Sequence, residues 1–133
     1  MTNQETRNTL LAKALTENAG FSAIAGAVMI AGAVLGLDTW LGVDAWLLFV
    51  LGVGLVIYAV DLLWVARSPR WLVPGGRAAV VADIIWVVVA AALIGFTAVL
   101  TRQGEVALAI VSVVVAGFAA AQWVGLRKLD AAV

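Results

Sequence analysis

The chain has 133 residues, 65% of them hydrophobic and only 12% charged, and its eight basic and eight acidic side chains balance. Ordinary soluble domains carry roughly 25% charged residues, so this composition excludes a soluble fold, and the length leaves no room for a second domain beside the apolar segments. The lack of any cysteine or histidine removes the common nucleophile, general base, zinc and haem ligands and every disulfide framework, while zero net charge gives no electrostatic case for nucleic acid.

The first polar stretch, MTNQETRNTLLAKALTENAG, lacks a basic leader followed directly by an apolar core, so it does not read as a removed signal peptide. Thr2 and Glu5 match the Ser/Thr-x-x-Glu capping box, and Leu10, Leu11, Ala14 and Leu15 share one helical face. Residues 3–16 therefore read either as an interfacial helix or as a frayed polar tail. Four apolar runs follow, over 19–37, 45–65, 78–100 and 106–124. Each is about 20 residues, long enough as a helix to cross a ~30 Å hydrocarbon layer.

The breaks between runs arrange them. In the first, Asp38 to Val43 holds Trp40 at an interface and Gly42, and Asp44 stands at the N-cap of the second run. The second break, Ser68 to Gly76, contains both prolines of the chain, which predicts that helix stops there. Thr101 to Glu105 reads as a tight turn that makes the third and fourth runs antiparallel neighbours. The expected architecture is an all-α membrane protein, an up-down-up-down four-transmembrane-helix bundle in which residues 1–133 form a single domain.

With four spans, both termini and the second break share one side of the bilayer. Arg7, Lys13, Arg67, Arg70, Arg77, Arg127 and Lys128 lie there, against Arg102 alone on the other side. Seven basic residues against one follow the positive-inside rule, so both termini are expected on the cytoplasmic side. Within lipid, close packing and polar contacts hold helices together. Small residues at Gly32 and Gly36, Ala25 and Gly26, Gly52 and Gly54, Ala116 and Ala120, and Gly117 and Ala121 offer that packing. They are expected to act first inside the bundle, and secondly toward a homo-oligomer or a larger membrane complex. The lipid bilayer is the main partner.

Polar side chains cluster at one depth. Asp61 stands six residues before Arg67 and Asp83 six after Arg77, each about 9 Å along its helix from the arginine. Ser22 and Gln122 fall at a similar level, and Glu17 and Asn18 one turn closer to the basic side. Helical spacing aligns Asn18, Ser22 and Ala25, then Gly54, Tyr58 and Asp61, then Asp83, Trp86 and Ala90. An Asp at the centre of a span costs about 2.5 to 3.5 kcal/mol on insertion, so such residues face the interior and take partners. If Asp61 and Asp83 meet, they cannot both ionise cheaply, and one keeps a proton or both share a cation or basic neighbour. Trp86, about 12 Å into the hydrocarbon, needs a partner for its indole N–H, whereas Trp64, Trp71 and Trp123 belong to the interfacial belt.

Two uses of this layer compete. As a ligand site it comprises Glu17, Asn18, Ser22, Tyr58, Asp61, Asp83, Trp86 and Gln122 and takes a proton, a cation or an amphipathic organic cation from the cytoplasmic side. As interhelical glue, each hydrogen bond contributes about 0.6 to 2 kcal/mol. The glue reading leads, because the outer halves of the spans are almost wholly apolar and give no polar path across. No metal or cofactor is expected, and no phosphate loop, nucleophile–base pair or metal-ligand spacing suggests an enzyme.

Asn18-Ala19-Gly20-Phe21-Ser22 with Gly26, Asp83-Ile84-Ile85-Trp86-Val87, and Gln122-Trp123-Val124-Gly125-Leu126-Arg127 together resemble a group of small, largely uncharacterised bacterial four-span membrane proteins. The resemblance covers most of the chain and implies a bacterial inner-membrane protein with a recurring polar layer, without an activity. Small multidrug exporters carry a carboxylate near the middle of the first span, whereas Glu17 lies at its mouth, and the pore motifs of fluoride channels are missing. The function expected from sequence is a structural, accessory or partner-binding membrane subunit, with a cytoplasm-facing binding or transport module as the alternative.

Overall fold

Threonine hydroxyls set three of the helix starts. Thr2 Oγ1 accepts from Glu5 N at 3.1 Å while Thr2 N donates to Glu5 Oε2 at 2.7 Å, closing the capping box. The Thr2 backbone N–H on the Glu5 carboxylate, and secondly the Thr2 side chain, favour the charged form and hold Glu5 below its ordinary range. Thr9 Oγ1 accepts from Ala12 N at 3.1 Å, and Thr101 Oγ1 from Gly104 N at 3.0 Å. Each bond satisfies a donor that a helix N-terminus otherwise leaves free.

The structure, a computed structural model, describes residues 1–132. Among them lie helices α1 Asn3–Asn8, α2 Leu10–Leu35, α3 Leu37–Leu41, α4 Ala45–Arg67, α5 Leu72–Phe96 and α6 Arg102–Ala131, and no strand. Helices α2, α4, α5 and α6 are each long and apolar enough to cross a membrane. They run up, down, up, down as a bundle, with α1 and the end of α6 together at one end, here the near end.

Several boundaries differ from the sequence expectation. The segment 3–16 is neither one interfacial helix nor a frayed tail. Thr9 takes an extended conformation, ends α1 and starts α2, so residues 10–16 are the first turns of the first span. Leu11 and Leu15 there are fully buried. Nor does helix stop across the whole of Ser68 to Gly76: α5 begins at Leu72 and holds Pro74 in its first turn, where a missing N–H costs no intrahelical bond. At the far end the turn is 97–101, because Thr101 caps α6 and places Arg102 to Glu105 inside the helix. Asp44 occupies the N-cap position of α4 without making a side-chain cap bond.

Glycines explain the approaches of the helices, though not all as expected. Gly32 and Gly36 end a helix instead of packing one. Gly36 adopts φ +90 as the cap of α2, a conformation that disfavours a side chain, and a Cβ at Gly32 would lie 2.5 Å from Leu37 Cδ2. The close crossing of α2 and α4 falls at Gly26 and Gly52, where a Cβ on either would come within 2.6 or 2.8 Å of the other's carbonyl oxygen. Gly125 lets α6 reach the backbone of Leu11, and Phe21 and Phe118 stack across the same pair at 5.7 Å. By contrast Ala116, Gly117 and Ala120 on α6 face outward.

The buried apolar core sits at the near end, around Leu11, Leu15, Leu62, Leu72, Val80 and Leu126. Far-end contacts are sparser. Thr101 joins α3 there, its hydroxyl donating to Trp40 O at 2.6 Å and its N–H to Leu41 O at 3.2 Å. Most of each span faces outward, as lipid-solvated helices can.

Candidate functional site

Helix α5 buries one carboxylate. Asp83 follows Ala79 and Val80 on the inward face of α5 and is 4% exposed. Its Oδ2 accepts from Asn18 Nδ2 of α2 at 2.9 Å and from Gln122 Nε2 of α6 at 3.2 Å. Its Oδ1 accepts from the Tyr58 hydroxyl of α4 at 3.0 Å. Ser22 Oγ donates to Asn18 Oδ1 at 3.2 Å, using an acceptor of the amide whose N–H₂ serves the carboxylate. All four spans thus meet at one side chain. Asn18, Ser22 and Gln122 are themselves buried, so these bonds form away from competing water, where an unpaired polar group is costly.

Of the residues expected in the layer, Asn18, Ser22, Tyr58, Asp83 and Gln122 converge. Glu17 and Asp61 do not. Both are exposed, and no side-chain hydrogen bond of either is formed among the described residues. The expected meeting of Asp61 with Asp83 is therefore corrected, and helix geometry gives the reason. The inward stripe of α4 runs through Gly52, Ala59, Leu62 and Ala66. At 3.6 residues per turn, Asp61 lies about 160° round the helix from Ala59. The stripe of Gly54, Tyr58 and Asp61 holds on the helix surface but lies to one side of the bundle interior. Only the long side chain of Tyr58 reaches in from its edge.

Trp86, one turn along α5 from Asp83, is half-buried. Its Nε1 is closed off from solvent without a partner, and so is Gln122 Oε1. The indole N–H therefore lacks the partner it was expected to need: Asp83 takes its bonds from the two amides and the phenol. Trp64, Trp71 and Trp123 are exposed; Trp64 and Trp71 stack at 6.0 Å, and the guanidinium groups of Arg70 and Arg127 lie over Trp71 and Trp123.

A second polar feature has little trace in the sequence. A groove of about 530 Å³ at the near end is lined by Arg7, Lys13, Thr16, Glu17 and Arg67 with Ala12 and Ala66 at its base. These residues come from three helices, and the only sign of them in the sequence is an excess of basic residues near span ends. A smaller groove of about 370 Å³ at the far end lies between Trp40, Arg102 and Ile110. Neither groove is lined by a residue of the Asp83 network.

Fold and site together define a helical bundle with four membrane-spanning helices, in which a buried carboxylate accepts one hydrogen bond from each of the other three. Comparison with known protein families, curated proteins and solved structures finds no match.

Proposed function

We propose that this chain is a structural or accessory subunit of a bacterial inner membrane, related to small bacterial four-span proteins, with both termini cytoplasmic. In this reading the Asp83 network fixes helix order, and the outward faces of the spans meet a partner or a second copy. One observation carries it: the two carboxylate oxygens of Asp83 are engaged by donors from all three other spans. A site built to take a cation leaves carboxylate oxygen free for it, whereas here Asn18, Tyr58 and Gln122 would have to be displaced. The outward-facing Ala116, Gly117 and Ala120 support a close helix contact outside the bundle. The excess of basic residues at the near end supports the orientation.

Mild-detergent extraction from native membranes, followed by native electrophoresis, tests the proposal. The expected result is a complex larger than the 13.8 kDa chain that dissociates or diminishes in Asp83→Ala. A stable lone monomer overturns it.

A second reading, a cytoplasm-facing binding or transport module for a proton, a cation or an amphipathic organic cation, draws on one observation. Trp86 Nε1 and Gln122 Oε1 offer an unused buried donor and acceptor beside the network. Under that reading Asp83→Asn abolishes flux or binding while insertion persists.

A further inference from the structure

At the near end α1 lies against both α2 and α4, and the groove between them brings Arg7, Lys13 and Arg67 together from three separate helices. The sole ion pair among the described residues, Arg77 with Asp130 at 3.6 Å, lies between α5 and α6. The three groove cations are thus unpaired even though Glu17 lines the same groove. Three positive charges and one negative make it an anion site on balance. Its floor is made of Ala12 and Ala66, which are small and buried, so an incoming group can approach the backbone level.

Its depth narrows the choice of anion. The apolar run of α4 ends at Arg67, and that of α2 begins just past Glu17. The groove therefore sits at the boundary between apolar and polar surface, the level of lipid headgroups. One and two turns beyond Glu17 on the same face of α2, Gly20 and Ile24 are exposed, and a Cβ at Gly20 would meet nothing within 4 Å. That strip leaves an open apolar path for an acyl chain directly below the cations.

We propose that this groove binds the headgroup of an anionic phospholipid, with Arg7, Lys13 and Arg67 on the phosphodiester and Thr16 and Glu17 toward headgroup hydroxyls, as a phosphoglycerol head provides. The proposal rests on the membrane reading of the four spans. Retention of the chain in alkali-washed membranes tests that reading separately, so its failure is distinguishable from failure of the lipid site.

The full chain is reconstituted in bilayers of equal phosphatidylglycerol and phosphatidylethanolamine, and retained lipid is read by native mass spectrometry. Phosphatidylglycerol is expected to be enriched. Each basic residue near a membrane surface contributes about fivefold in affinity. Arg67→Gln alone should therefore weaken retention about fivefold, and Arg7→Gln, Lys13→Gln and Arg67→Gln together on the order of a hundredfold. The control removes equal charge at the same end outside the groove, through Arg70→Gln, Arg127→Gln and Lys128→Gln, and should change retention little. Thermal melting in detergent accompanies every variant, and the single Arg67→Gln decides the matter if the triple variant does not fold. Equal losses in groove and control variants overturn the site in favour of general surface potential. Enrichment of phosphatidylethanolamine that is lost in Glu17→Gln overturns the anionic assignment. Displacement of lipid by millimolar glycerol phosphate overturns the lipid itself as occupant.

Discussion

Replacing Asp83 by alanine strands three donors at once, two of them on buried amides. Asn18 Nδ2, Gln122 Nε2 and the Tyr58 hydroxyl each lose their acceptor, and among the described residues Gln122 Oε1 is the buried side-chain acceptor without any partner. Interhelical hydrogen bonds in bilayers are worth about 0.6 to 2 kcal/mol each, so three of them predict a loss of about 2 to 6 kcal/mol. Asp83→Asn should cost less. With its oxygen turned toward the two amides and its N–H₂ toward Tyr58, which can accept, all three contacts persist without the help of charge, and the loss should be on the order of 1 to 2 kcal/mol. Reversible unfolding in mixed micelles, followed by tryptophan fluorescence, measures both. Double-mutant cycles of Asp83→Ala with Asn18→Ala and with Gln122→Ala then assign coupling to each bond. Wild-type stability in Asp83→Ala, or coupling indistinguishable from zero in both cycles, would refute the claim that this carboxylate ties the spans together.

Asp61→Asn, in contrast, should change stability by less than about 0.5 kcal/mol in the same assay, because Asp61 is exposed and unbonded among the described residues; a loss as large as that of Asp83→Asn would return it to the network. Gly26→Leu should force α2 and α4 apart and cost about 1 to 3 kcal/mol, whereas Gly117→Ala, with open space around its Cβ, should be neutral or stabilising by up to about 1 kcal/mol. If Gly117→Ala instead disrupts a complex recovered from native membranes, the outward face of α6 is an interface between chains. The capping box of α1 depends on charged Glu5, whose acidity is raised by its bonds to Thr2. Its contribution should be intact at neutral pH and lost as pH falls through a value below the ordinary carboxylate range. Faster amide exchange at Thr2 in that window, and at all pH values in Glu5→Gln, checks it.

Fold class and span number were legible because lipid imposes a length and a composition on a helix, and four such runs are plain in the chain. Which face of each helix turns inward was not. In a soluble protein apolar periodicity marks the buried face, but lipid is as apolar as leucine, and α4 reads nearly the same all round. Only the rare polar residues discriminate, and two adjacent candidates on α4 pointed differently. Tyr58 sits at the edge of the inward stripe and reaches across it; Asp61 is a further 60° or so round the helix and turns away. The glycines show the same ambiguity. Spacing alone made Gly32 and Gly36 a packing pair, whereas the left-handed φ of Gly36 makes them a helix end, and the true crossing lies at Gly26 and Gly52, on different helices. Helix ends depart from composition where a cap outweighs it: Thr101 begins α6 four residues before the apolar run, and Pro74 sits inside α5 because the first turn tolerates it.

The asymmetry between the two ends of the bundle bears on how the network is used. Burial is concentrated at the near end, where Leu11, Leu62, Leu72 and Leu126 pack together, while outer positions such as Val34, Trp46, Phe96 and Ile110 are open. A transporter that alternates access must be able to part its helices on both sides of the binding level. Here the near side is a packed core, and the level itself is tied by bonds from α5 to each of the other three spans. Opening it requires breaking the same contacts that establish helix order. In the proposed reading a carboxylate so placed favours one arrangement of the spans, which leaves the outward faces and the basic groove as the surfaces where a partner or lipid would be exchanged without disturbing the core.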